Sequence, residues 1–208
     1  MKNFLAVDTS SEYLTVIAVK DGNPTISHLP DCAMKHSVAL LNEIDRVLDK
    51  SGMTLADCDF FSAVVGAGSF TGIRIGISAM KGFCLALQKP ALPVTSFDVV
   101  AYNSVETGKR LCLVNAMHDA YYACGYEGES VVYPPCYLTE EEVLALQKQG
   151  YALVSASKLP ISAKAEVQVV DGKTGLLNAV NALSEQGKFG ELVALYARKS
   201  SAELNLKA

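Results

Sequence analysis

Basic residues are scarce in this sequence: 18 Lys and Arg stand against 22 Asp and Glu, a net charge of −4. A chain that grips a nucleic-acid backbone by itself needs clustered cations. The only groupings are Lys109-Arg110 and Arg198-Lys199, so no direct hold on RNA or DNA is expected. Histidine is rarer still, and His28, His36 and His118 share no metal-ligand spacing; no metal site is expected. The six cysteines (Cys32, Cys58, Cys84, Cys112, Cys124, Cys136) include no CxxC pair, which speaks against a zinc site or a disulfide framework. In apolar surroundings they read as reduced, buried small hydrophobes. No apolar run reaches bilayer length. The apolar part of Met1 to Asp8 is too short for a signal peptide and Asp8 interrupts it. The expected location is therefore the cytoplasm, away from membranes.

What is present is ordinary for a globular protein: 208 residues, half of them hydrophobic and 19% charged, enough for one large domain or two small lobes. Residues 4–9, 13–20 and 25–29 read as strands, with a hairpin signal at Asp21-Gly22-Asn23-Pro24. A helix follows, opened around Lys35 to Ser37, with Leu40, Leu41, Ile44, Val47 and Leu48 as its apolar face and Gly52 as its end. A strand at 60–65 and a helix at 71–88 come next; Pro90 and Pro93 punctuate, and Ser96 caps a helix to about Val105. The order then repeats: strands at 111–115, 121–126 and 130–137, a capping box at Thr139 to Glu142, strands at 151–155 and 166–170, and a helix at 175–186. A duplicated strand-rich unit predicts two α/β lobes.

Between the strand at 60–65 and the helix after it runs Gly66-Ala67-Gly68-Ser69-Phe70-Thr71-Gly72-Ile73-Arg74-Ile75-Gly76. A strand, a glycine-rich turn and a helix place backbone N–H groups where anions bind. Yet no Lys-Ser/Thr pair follows, and Thr71 stands where a dinucleotide fingerprint needs its third glycine. The helix that follows sorts into sectors at about 100° per residue. Arg74, Ser78, Lys81, Leu85 and Gln88 make a mainly polar strip; Ile73, Ile77, Met80, Cys84 and Leu87 suit a core. A third sector carries Gly72, Gly76, Ala79, Gly82 and Ala86, with Ile75 and Phe83. Small residues let another backbone come close: either the chain's own sheet, or a helix of a second protein.

Leu5-Ala6-Val7-Asp8-Thr9-Ser10, His36-Ser37, the run Gly68 to Gly76 and the tail Leu195-Tyr196-Ala197-Arg198 closely resemble the TsaB (YeaZ) family. The match covers residues 1–100 and is thin over 110–190. It departs from the family at Ala67, where proline is usual, and at Asn115 to Ala120. The resemblance implies two ribonuclease-H-like lobes of the actin/Hsp70/sugar-kinase (ASKHA) fold: residues 1–104 joined by the C-terminal segment 190–208, and a smaller lobe at 105–189. It implies a part in making threonylcarbamoyladenosine next to the tRNA anticodon. In that family the catalyst is the paralogue TsaD, with TsaE completing the set; for this chain, contact with tRNA is expected only through the complex, and a homodimer is expected when it is alone, because related surfaces are self-complementary.

Enzymes of this fold hold phosphate with turns in both lobes. Here the first keeps Asp8, Thr9 and Ser10, grouped with Gly68, Ser69 and Thr71 of the glycine-rich run; the second offers Asn115 and no glycine before Gly125. Half the clamp is missing, so these residues read as vestigial, with no cofactor. The paralogue's metal-binding histidines at i and i+4 have only His36 and Leu40 as counterparts, and His36 is expected at the helix start as a surface or capping residue. Ser69 lies outside any GxSxG elbow; with Thr71 it is expected to cap the helix. The expectation is a non-catalytic partner of TsaD that docks through Gly72, Ile75, Gly76, Ala79, Gly82, Phe83 and Ala86. The alternative is a small-molecule kinase or ATPase of the same fold.

Overall fold

The computed structural model describes residues 2–105 and 108–197. The tail 198–208, with Arg198-Lys199, lies outside the described residues. β1 (Phe4–Asp8) is followed by β2 (Leu14–Lys20), which turns into β3 (Asn23–Leu29) over Asp21 and Gly22. Their φ values of 50° and 82° suit a two-residue hairpin loop, so the turn is tighter than the Asp21–Pro24 signal. Pro24 already lies in β3, an edge strand where a missing N–H is tolerated.

Helix α1 (His36–Ser51) buries Leu40, Ile44, Val47 and Leu48 and stops at Gly52 in a left-handed cap. Leu41, expected in that core face, is instead exposed. β4 (Phe60–Val64), α2 (Phe70–Leu87), β5 (Ala91–Val94) and α3 (Ser96–Ala101) follow. β5 was hidden by Pro90 and Pro93; as an edge strand it accommodates Pro93. α3 is shorter than expected, and its cap is Thr95 rather than Ser96: Thr95 Oγ1 accepts from Asp98 N at 3.0 Å.

The second half holds β6 (Lys109–Asn115), β7 (Ala120–Glu127), β8 (Ser130–Thr139), α4 (Glu140–Lys148), β9 (Ala152–Ser155), β10 (Val167–Val169) and α5 (Gly172–Glu185). The sheets run β3-β2-β1-β4-β5 and β8-β7-β6-β9-β10. In each, the first three strands are antiparallel and the last two join in parallel. This is the ribonuclease-H-like order twice over, the two-lobed plan of the ASKHA fold. One difference matters. Where α2 connects β4 to β5, only a 3-10 turn at Pro160–Ala163 lies between β9 and β10. The helix read at 175–186 therefore corresponds to α3, not α2.

The central strands β1, β2 and β4 of the first sheet are buried on both faces. Leu5, Val7, Val16, Phe61 and Ala63 meet α1 and α2, whereas Phe4, Ala6, Ile17, Val64 and Leu92 meet Leu176, Ala179 and Val180 of α5. α5, which follows the second sheet in sequence, thus covers the first. α3 in turn packs Phe97, Val100 and Ala101 on Cys112, Cys124 and Val154 of the second sheet. The two helices cross closely enough that a Cβ on Gly175 would lie 2.0 Å from the Val99 carbonyl oxygen. Arg110, read as half of a basic grouping, is buried here and donates to the Ala101 carbonyl at 3.0 Å and to that of Gly128. The chain then returns to the first lobe, where Leu195 N donates to Val65 O at 2.7 Å. All six cysteines are free, four of them buried, and burial pushes the Cys58 and Cys124 thiols up to about 12.

Candidate functional site

The glycine-rich loop is filled by the chain's own backbone. A Cβ on Gly68 would lie 2.2 Å from Ser10 O, and one on Gly72 would lie 2.0 Å from Thr9 O. Glycine is required because the turn after β1 sits directly against the loop. Hydrogen bonds fasten the contact: Thr9 Oγ1 donates to Gly72 O at 2.7 Å, and Ser69 N to Ser10 O at 2.7 Å. Ser96 holds the loop from behind, donating from N to Gly66 O and from Oγ to Ala67 O, each at 2.6 Å. Ser69 caps α2 as expected, accepting from Gly72 N at 3.2 Å. Thr71 lies exposed in the first turn.

Asp8 is 2% exposed and accepts from Ser10 N at 2.8 Å and Ser10 Oγ at 2.7 Å. Burial raises its carboxyl above the usual range, and the bonds from Ser10 offset part of that. His36 is buried, not at the surface, and its Nε2 pairs with the Tyr13 carbonyl at 3.0 Å. His28 packs against the Tyr13 ring, ring centroids 5.3 Å apart, with Nδ1 2.9 Å from Thr15 Oγ1. Among the described residues no three His, Cys, Asp or Glu side chains gather as a metal site.

The third sector of α2 splits. Gly72 and Gly76 do not face outward: both are buried, and a Cβ on Gly76 would lie 2.5 Å from Thr9 Oγ1. Their small size serves the contact with β1. Ile75, Ala79 and Phe83 are half-buried, with Phe83 tilted on Phe61 at 5.6 Å. Gly82 and Ala86 are exposed, and a Cβ on Gly82 would meet nothing within 4 Å. Beside these residues a shallow groove of about 670 Å³ runs between α1 and α2, its walls including Leu41, Phe70, Arg74, Ile75 and Ala79. Val38 and Leu85 are 76% and 83% exposed, adding apolar surface on the same two helices. By length and composition alone α2, with a mean hydropathy of 1.3, could cross a bilayer, contrary to the expectation that no segment could. Its Ile73, Ile77 and Met80 face is instead in the core.

Sequence reasoning missed the cluster at the mouth of this groove. Phe70 and Tyr196 stack with ring centroids 5.3 Å apart, and Arg74 lies over Phe70. All three residues sit in the two segments that carry the family resemblance, but no spacing rule links residue 74 to residue 196.

Residues 29–204 match the family described as TsaD, tRNA N6-adenosine threonylcarbamoyltransferase. The tRNA threonylcarbamoyladenosine biosynthesis protein TsaB of Escherichia coli (strain K12) is 33% identical over 97 residues, 47% of this chain and 42% of that protein. TsaB of Haemophilus influenzae is 30% identical over 124 residues, 57% of this chain and 52% of that protein. The chain thus spans about half the length of the curated relatives it matches. YeaZ from Pseudomonas aeruginosa superposes with a TM-score of 0.78 at 23% identity, over 94% of this chain and 100% of that one.

Proposed function

Because this chain belongs to the family described as TsaD, tRNA N6-adenosine threonylcarbamoyltransferase, and is similar to TsaB proteins over about half their length, we propose that it is a TsaB-type protein that serves tRNA threonylcarbamoyladenosine biosynthesis as a non-catalytic subunit. It lends the exposed side of α1 and α2 to a TsaD-type threonylcarbamoyltransferase, which performs the transfer. One contrast carries the reading. The loop that could cradle a phosphate is occupied by Thr9 and Ser10, while the groove beside it is mainly apolar, with Arg74 as its one charged side chain, and is uncovered. An apolar patch of that kind on an isolated chain marks a partner site.

Of the interface residues named from sequence, Ile75, Ala79, Gly82, Phe83 and Ala86 belong to this surface; Gly72 and Gly76 support it from behind. Without the transferase, the same face would pair two copies of the chain, since an isologous contact reuses one surface. TsaE joins as a further subunit, tRNA is reached through the assembly, and the work takes place in the cytoplasm.

The test is the pair Ala79→Arg and Ala86→Arg, which puts two long cations into the groove and along α2. Co-purification with the transferase is expected to be lost. Reconstituted tRNA modification should fall to the level seen without this chain. If both survive, the interface lies elsewhere.

A further inference from the structure

The groove holds one charged side chain with an unused edge. The guanidinium carbon of Arg74 lies 3.8 Å from the Phe70 ring centroid, and its Nε donates to Tyr196 Oη at 2.9 Å. Tyr196, stacked on Phe70 at 5.3 Å, completes the support. Two rings and one hydrogen bond fix the plane of the guanidinium. Its Nη1 and Nη2 have no hydrogen-bond partner among the described residues, and none of the ion pairs there includes Arg74. It is also the only cation among the residues lining the groove, beside Leu41, Ile75 and Ala79.

A guanidinium held flat, with both terminal nitrogens unpartnered among the described residues, matches a carboxylate in the two-pronged geometry. We propose that Arg74 determines which partner the groove accepts: it receives an Asp or Glu side chain of the docking helix, whose apolar face lies on Leu41, Ile75 and Ala79. This rests on the groove being the transferase's docking site. A helix without that carboxylate would bury Arg74 unpaired, which is costly, so the same residue favours the right partner and rejects others. Stacked exposed rings can also receive a nucleobase. Here Arg74 already lies over Phe70, and the chain carries net charge −4, so a protein carboxylate is the better match.

Calorimetry with the cognate TsaD-type transferase separates the outcomes, using Ala79→Arg as the reference for the groove itself. Arg74→Gln is expected to weaken binding roughly 10- to 100-fold. Arg74→Lys keeps the charge but not the fork and should weaken it about tenfold. Arg74→Gln should also flatten the salt dependence of the wild-type affinity. Should Arg74→Gln fail to fold, by the criterion of its thermal midpoint, the Lys variant carries the test. If Arg74→Gln binds within about twofold of wild type while Ala79→Arg does not bind, the carboxylate proposal falls and the groove stands. If Ala79→Arg binds normally, the groove reading falls as well. Loss of binding to an unmodified tRNA transcript in Arg74→Gln, with transferase affinity unchanged, would assign the cluster to nucleic acid and overturn the proposal.

Discussion

The two sheets have the same strand order, yet the turns that follow their first strands are built in opposite ways. In the first lobe the turn after β1 is pinned: Thr9 and Ser10 are hydrogen-bonded to the loop before α2, and glycine makes room for them. In the second lobe the turn after β6 holds Met117, His118 and Asp119 in succession at φ values of 65°, 54° and 53°, all exposed. The loop after β9, Ala156-Ser157-Lys158, contains no glycine, and no α2 follows it. A duplicated unit has kept its sheet in both copies and its outward-facing helix in one. The clamp and the helix belong together, because the clamp sets where α2 begins.

Breaking the clamp should have the largest effect. Gly72→Ala puts a methyl group 2.0 Å from a backbone oxygen, which no side-chain rotation relieves. The expected cost is about 3 kcal/mol, at the upper end for overpacking, read by denaturant unfolding. Gly82→Ala on the same helix is the control. Its Cβ meets nothing, and replacing an interior helical glycine should stabilise by about 0.5–1 kcal/mol. Equal effects from the two would mean that the clamp does not hold α2.

Much of this was legible in the sequence. Apart from β5, the order of elements followed from periodicity and turn chemistry, and the core strip Ile73, Ile77 and Met80 followed from the helical period. What failed, failed for tertiary reasons. Gly72 and Gly76 share a helical sector with Ala79, but a helix wheel cannot say that Thr9 approaches one end of that sector and nothing the other. Leu41 looked like core until α1 was placed beside α2, where it becomes groove wall. β5 was concealed by its prolines, and the exchange of α3 and α5 between sheets depends on contacts that no local pattern encodes.

A smaller effect tests what lies beneath the clamp. Asp8 is buried with its carboxyl raised above the usual value of 3.8. The folded state therefore holds its proton to higher pH than the unfolded chain, and ionising Asp8 in the fold takes stability away as pH rises above about 4. Asp8→Asn keeps an oxygen for Ser10 and removes that loss. Its thermal midpoint should exceed that of wild type at pH 7, and the two should converge below about pH 4. A kinase or ATPase would instead use Asp8 ionised beside a magnesium ion. In that case the variant would be the less stable at neutral pH with magnesium nucleotide present, and magnesium-dependent nucleotide binding would be lost with it.

The smallest expected effect comes from the second lobe. Three consecutive non-glycine residues in the left-handed region carry strain of roughly 1–2 kcal/mol each in the general case. With no glycine-rich loop to pin it, that turn has less to compensate. His118→Gly removes the strain at one position, while the freer unfolded chain takes back about 0.4–1 kcal/mol. The net expectation is a gain of about 0.5–1 kcal/mol, opposite in sign to Gly72→Ala at the clamp of the other lobe. The Asn115 Oδ1 bond to Met117 N at 2.9 Å stays intact, so the comparison isolates the backbone. A loss of stability in His118→Gly would mean that this turn, too, is held by its side chains, and the contrast between the lobes would narrow to the missing helix.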